Sequence, residues 1–351
     1  MCRAPFPSRA VPTKAAPAAL STNYYSTSFL TTAAPLNLAL VILNVKHRAS
    51  EFEKHGPAAR FAHVWEQSSL RICADGAANR LYDSLDEDAR SRMLPDLITG
   101  DLDSLRGDVA TFYSDRGVPI EGEAEQDSHD FEKCLRWLER RQRDDAARSS
   151  SSTGSDGTAT PVQPFSVVAV GAFGGRLDQQ MANLNMAYSY ACFERFYLVS
   201  DASLAFVLPP GKHVIDTNLE AEDGSCGLIP LGGRCERVVT TGCVPRAHTQ
   251  RTHTRCTRRP ASFGLSQRVR VRLMPACACV QSFVRACAAL ADTRPRPPVR
   301  LMLARRLKWN LDGKRPLEFG SLISSSNEIA DARVTVETSE PLLWTTGLRE
   351  W

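Results

Sequence analysis

Asp101 and Asp103 stand two residues apart in ITGDLDSL, directly after an apolar run that ends at Gly100. If the backbone stays extended there, both carboxylates point to one side, and two hard anionic oxygens side by side suit Mg2+. Asp and Gly are also ordinary turn formers, so the pair alone leaves both readings open. Asp75 shifts the balance, because it too follows an apolar stretch, RICA, that breaks at a glycine. Neighbouring parallel strands would bring the two strand ends to one edge. Asp130, opening DFEKCLRWL, offers a fourth carboxylate at a position where Asp also serves as a helix N-cap.

A second group could bind anions. In VVAVGAFGGRLDQQ, Gly171, Gly174 and Gly175 form a turn whose amides could approach a phosphate, and Arg176 adds a guanidinium at the start of the next helix. The spacing is neither G-x-G-x-x-G nor G-x-x-x-x-G-K-[ST], so the turn alone names no ligand. Trp309 in LKWNL suits a core position or a flat surface for an aromatic ligand. The run Ser324 to Asn327 has the composition of a polar turn.

The elements that must position these groups alternate. LNLALVILN (36–44), RICA, LPDLITG, PFSVVAVG and FYLVS read as strands. Helical spacing follows in Ala78, Leu81, Tyr82 and Leu85, in Phe131, Cys134, Leu135 and Leu138, and in Met181, Leu184, Tyr188 and Ala191. This predicts an α/β domain over 36–208, an open and mostly parallel sheet with flanking helices, with residues 149–164 as a low-complexity loop. From about Pro209 helical spacing fades, and GLIPL, CERVVTT, LKWNL, LEFGSLISSS and ARVTVET predict a smaller all-β, sandwich-like domain over 209–351.

Charge separates one segment from the rest. Residues 243–306 hold fourteen arginines, no lysine and one acid, Asp292; that segment carries +13, so against a whole-chain +4 the other 287 residues sit at −9. The basic balance is local and gives the main body no reason to bind nucleic acid. Five of the eleven cysteines fall in the same segment and the rest lack paired spacing, which argues against a disulfide framework. No apolar run approaches the ~18 residues of a membrane span. Residues 1–35, rich in Ser, Thr, Ala and Pro with Arg3, Arg9 and Lys14 and no acid, read as a disordered extension in preference to a mitochondrial targeting segment, and the expected compartment is the cytoplasm.

CADGAANRLYD, PDLITGDLDSL, QDSHDFEKCL, GAFGGRLDQQMA, GLIPLG, TTG followed later by LKWNL, and SSSN occur in this order from near residue 36 to the end. In these seven blocks the chain resembles the eukaryotic thiamine pyrophosphokinases. The resemblance implies a homodimer with active sites between subunits, and an enzyme that uses ATP and thiamine to make thiamine diphosphate and AMP with Mg2+. It places Asp75, Asp101, Asp103 and Asp130 at metal-binding and catalytic positions, and Arg176 and Asp178 with the glycine turn at the ATP. It puts Gln126, Asp127, Ser324, Asn327 and Trp309 at the thiamine, the Trp stacked on the pyrimidine. One departure is His129, where the family's D-x-T-D-F has Thr. The alternatives are a related Mg-dependent nucleotide enzyme with another acceptor, or a vestigial kinase with a basic binding insertion.

The resemblance also implies that TTG should run straight into LKWNL, so residues 243–306 interrupt a continuous motif. Cys243, His248, His253 and Cys256 could supply four zinc ligands, but their spacing fits no usual zinc pattern. Arginine without lysine, scattered cysteines and weak apolar periodicity favour a translated non-coding segment, such as a retained intron, over a selected module.

Overall fold

The computed structural model describes residues 22–33, 36–44, 57–123, 125, 128–151, 163–241, 243–245 and 310–349. After a first strand β1 (Thr22–Ser26), strands and helices alternate: β2 (Asn37–Ile42), α1 (Pro57–Gln67), β3 (Leu70–Ala74), α2 (Ala77–Ser84), α3 (Glu87–Arg92), β4 (Leu97–Gly100), α4 (Gly107–Ser114), β5 (Ile120–Gly122), α5 (Asp130–Ser151), β6 (Phe165–Val170), α6 (Leu177–Ser189) and β7 (Arg195–Val199). Six of these strands lie parallel in the order β7-β6-β2-β3-β4-β5. Every carboxyl end therefore opens on the same edge.

β2 shows why its sequence is apolar throughout. Leu38, Leu40 and Ile42 enter the core on one face of the sheet, while Ala39, Val41 and Leu43 enter the core on the other. A strand covered on both faces has no solvent side to mark with polar residues. Ala77, Ala78 and Leu81 of α2 and Val109 and Tyr113 of α4 cover the first face; Phe131, Cys134, Leu135 and Leu138 of α5 and Leu184, Met186 and Ala187 of α6 cover the second. Each large side chain buried there stabilises the fold by ~1.5–3 kcal/mol.

The second half is antiparallel. It comprises β8 (Ser203–Leu208), β9 (Gly211–Asp216), β10 (Glu222–Ile229), β11 (Val238–Thr241), β12 (Cys243–Pro245), β13 (Ser324–Ile329), β14 (Arg333–Thr338) and β15 (Leu342–Leu348). β8 folds back on β7, and β15, β10, β13 and β12 then extend the same sheet to eleven strands. A separate sheet, β1-β9-β14-β11, lays Ile215, Val238, Val334 and Val336 into the cluster that holds Leu204, Phe206 and Trp344. The result is a sandwich, one layer of which continues the parallel sheet. The chain passes from the large sheet to the small one between Leu208 and Gly211.

Two expectations are corrected here. Order begins before residue 36: TNYYS pairs in parallel with β9, and Phe29 and Leu30 just after it are buried. Aromatic side chains give this stretch of the Ser/Thr-rich segment something to bury, with Tyr25 stacked on Phe206 and Phe29 against Tyr197. SSSN is also a strand and not a turn, because β10 on one side and β12 on the other take its backbone hydrogen bonds.

The interruption leaves and returns at one place. Thr240 N donates to Leu311 O at 3.0 Å and Leu311 N donates to Thr240 Oγ1 at 3.0 Å, so the two flanks meet across residues 242–309. Closing so long a loop adds little, since its entropy cost grows only with the logarithm of length. Cys243–Pro245 pair with β13; His248, His253, Cys256 and the remainder of the segment lie outside the described residues.

Candidate active site

The carboxyl edge of the parallel sheet gathers the acids. Asp75 ends β3 in the left-handed region, φ 45°, a conformation that Asp adopts more readily than most residues. It is buried. Ser104 N donates to its Oδ2 at 3.2 Å, whereas Oδ1 is buried with no hydrogen-bond partner among the described residues. Burial pushes this carboxyl above its usual range and the charge of Asp130 adds to the effect, against hydrogen bonds from Gly76 and Ser104. A buried oxygen of this kind is short of a positive partner.

Asp101 and Asp103 reach the same place by a route different from the extended backbone expected. Leu102 between them has φ 62°, so the chain turns, and Asp103 N donates to Asp101 Oδ1 at 3.2 Å. The strain of a leucine in that region is held by packing: a Cβ on Gly122 would lie 3.1 Å from Leu102 Cδ1. Ser104 Oγ caps Asp103 Oδ1 at 2.8 Å, and Asn79 ties down the following loop through Ser104 O and Arg106 N. Arg106 then clamps that loop to α2 through both oxygens of Asp83, at 2.8 Å each.

One oxygen from each of Asp75, Asp101 and Asp103 lies within 4.8 Å of the others. Three hard oxygens at this separation, in a cluster where the buried Asp75 Oδ1 has no partner among the described residues, fit a divalent cation of the magnesium type. Gly100 is required for this convergence, because a Cβ there would sit 2.7 Å from Asp75 Cβ and 3.0 Å from Asp130 Oδ1.

Asp130 opens α5, and its Oδ1 accepts from Asp101 N at 3.1 Å and from Lys133 Nζ at 3.2 Å. Lys133 was not singled out by the sequence. It is wholly buried, and its ammonium also lies 3.6 Å from Asp101 Oδ2. The available signal was its position three residues after Asp130, off the apolar stripe but on the same side as the acid. His129, the departure from the family pattern, is exposed, and its carbonyl accepts the Lys133 amide at 3.0 Å.

Gly171, Gly174 and Gly175 have φ of 78°, 105° and 74°, values that only glycine adopts freely, so the turn after β6 needs all three. It lies two strands from Asp75, ~10 Å along the sheet, a span a triphosphate can bridge. Arg176, the N-cap of α6, is exposed and donates from Nε to Asp178 Oδ1 at 3.0 Å. This contact holds its guanidinium at the helix start.

Ser324 and Asn327 are both buried, and Asn327 Nδ2 donates to Ser324 Oγ at 2.5 Å while Asn327 Oδ1 has no partner among the described residues. Three residues apart on a regular strand they would face opposite ways. A register shift against Cys226 and Leu228 brings both inward. They do not meet the aspartates, since eight strand spacings separate β13 from β4, ~38 Å along the sheet. Gln126, Asp127 and Trp309 lie outside the described residues.

Comparison with known proteins gives a consistent family and fold. The family model for the thiamin pyrophosphokinase catalytic domain matches residues 61–198, and that for the vitamin B1 binding domain matches 302–343. Thiamine pyrophosphokinase of Saccharomyces cerevisiae is 31% identical over 227 residues, covering 56% of this chain and 69% of that protein. Thiamine pyrophosphokinase 1 of Arabidopsis thaliana is 29% identical over 297 residues, covering 82% and 81%. The crystal structure of the yeast thiamin pyrophosphokinase superposes with a TM-score of 0.60 at 22% identity, covering 94% of this chain and 93% of that one. The Candida albicans enzyme gives 0.61 at 19% identity, covering 93% of each. The shared fold is thus established.

Proposed function

The chain belongs to the thiamine pyrophosphokinase family, and we infer from that premise that it transfers the pyrophosphoryl group of ATP to the primary hydroxyl of thiamine, giving thiamine diphosphate and AMP. The observation that carries this reading is the convergence of Asp75, Asp101 and Asp103 on one edge, with Asp130 and a buried lysine beside them.

In the transfer, the thiamine hydroxyl oxygen forms a bond to the β-phosphorus as the bond from that phosphorus to the α,β-bridging oxygen breaks, and AMP departs with the electron pair. Most of the work is positioning and charge neutralisation. Asp130 suits the hydroxyl: its Oδ1 is fixed by Lys133 and the Asp101 amide, which leaves Oδ2 to orient the proton and accept it. The glycine turn would present backbone amides to the phosphate oxygens. Arg176 would trade its contact with Asp178 for them. Asp75, Asp101 and Asp103 would hold Mg2+, which, when bound, neutralises charge on the nucleotide's phosphates.

Ser324 and Asn327 would receive the vitamin, the free Asn327 Oδ1 being an acceptor for the amine of an aminopyrimidine. Gln126, Asp127 and Trp309 join them by resemblance. The distance from β13 to β4 supports a homodimer in which one subunit's acids face the partner's β-rich half. Incubating the protein with ATP, MgCl2 and thiamine tests the reaction: AMP should appear in equal amount to thiamine diphosphate and only when thiamine is present. ADP in its place, or nucleotide hydrolysis indifferent to thiamine, would refute it.

A further inference from the structure

Lys133 has no exposed surface, yet its ammonium meets two carboxylates, Asp130 Oδ1 at 3.2 Å and Asp101 Oδ2 at 3.6 Å. The other helical pairs three or four residues apart among the described residues are of another kind: Arg136 with Glu132, Arg141 with Asp145, Arg143 with Glu139 and Arg148 with Asp145 keep their arginine side chains 25–75% exposed. Surface pairs like those contribute little and cost little. Burying an ammonium is expensive, and its stabilising return is poor unless the charge is needed where it sits.

What surrounds it supplies the need. Asp75, Asp101, Asp103 and Asp130 bring four carboxylates to one strand edge, and among the described residues Lys133 is the cation paired with Asp101 and Asp130. With no divalent cation present, these like charges would push the loop after β4 away from the start of α5. The lysine lies on the inner side of the cluster, whereas Asp101 and Asp103 are exposed on the outer side, where solvent and ligand approach.

We propose that Lys133 is a built-in counter-charge: it holds Asp101 and Asp130 together while the edge is empty, and by repelling an arriving divalent cation it limits how tightly that cation binds. It acts through the aspartates and is a positioning residue. The inference rests on the acidic edge being a cation site. Its consequence runs against simple expectation, because removing this lysine weakens the empty protein and strengthens its grip on metal.

Metal-free parent, K133M and K133R are titrated with MnCl2 by electron paramagnetic resonance and melted in EDTA and in MgCl2. Methionine keeps most of the volume and removes the charge, so K133M should bind Mn2+ about tenfold more tightly. It should melt on the order of 5 °C lower in EDTA and recover most of that loss in MgCl2. K133R, which keeps the charge, should bind Mn2+ as the parent does. Equal or weaker Mn2+ binding by a folded K133M overturns the proposal. If K133M is unfolded in EDTA, refolding by MgCl2 or by the added D101N substitution supports it, and failure of both reduces Lys133 to a packing role. A parent that binds no Mn2+ overturns the cation site itself, a result distinct from any behaviour of the variants.

Discussion

The two ends of the eleven-stranded sheet handle polar groups in opposite ways. At β3 and β4 four acids from three connections converge within one chain, held by Gly100, by the turn at Leu102 and by a buried lysine. At β13 a bulge turns Ser324 and Asn327 inward as a mutually bonded pair, with a spare acceptor and none of those four acids beside them. The first end concentrates charge and the second offers neutral hydrogen-bonding groups. On the proposed reading, a sheet this wide leaves each chain with two half sites.

That contrast can be broken most sharply at Asp101. D101N should lower turnover by about 10²–10³-fold with an unchanged circular dichroism spectrum, and near-parental turnover would remove the acidic end from the chemistry. Next in size is a mixing experiment. D101N and N327A, each nearly inactive, should recover about a quarter of parental activity when unfolded and refolded together, because half the dimers would carry one intact site under two-fold symmetry. No recovery would mean that both ends serve one site in one chain, or that dimers do not form.

A smaller effect is expected from G100A. The new Cβ, 2.7 Å from Asp75 Cβ, should destabilise the protein by about 1–3 kcal/mol and lower metal affinity, whereas G211A, where a Cβ meets no atom within 4 Å but φ is 140°, should act on stability alone. Chemical denaturation with and without MgCl2 separates the two.

The smallest effect concerns Glu222, a buried acid of the antiparallel half that accepts from Thr27 Oγ1 and, at 2.7 Å, from Asn218 N. Burial raises its carboxyl above the ordinary range. The folded state therefore binds the proton more tightly than the unfolded one, and this group's contribution to stability is full below the ordinary Glu pKa and declines as pH rises through the folded value. E222Q should flatten that decline in melting temperature and leave turnover unchanged. D75N should also relieve a buried charge but abolish turnover, which separates an acid kept for structure from one kept for function.

Much of the acidic end was legible because strand ends are. Asp75 and Asp101 follow apolar runs that stop at glycine, and parallel pairing fixes where such ends go. Lys133 was not legible, since a lysine one turn after an aspartate looks like a solvated helical pair until the covering loop is known. The bulge under Asn327 escaped for a similar reason: SSSN contains no sign of the β10 partner whose register shift turns it inward. Continuity of the sheet through β8 was hidden as well, because an antiparallel return and a new domain share the same short, β-rich texture. The strand at Thr22–Ser26 was masked by the Ser, Thr, Ala and Pro around it.

That early strand has a consequence for how the molecule is made. Among the described residues its one strand partner is β9, residues 211–216, so Thr22–Ser26 emerge from the ribosome and must wait for ~190 more residues, about 10–40 s of synthesis, before they can pair. Phe29 and Leu30 can pack on α1 sooner, where Gln67 Nε2 donates to Phe29 O at 3.3 Å, but Phe29 meets Tyr197 only when β7 is made. The early strand is therefore seated only when β9 arrives, and β14, made later still, seals the other side of β9.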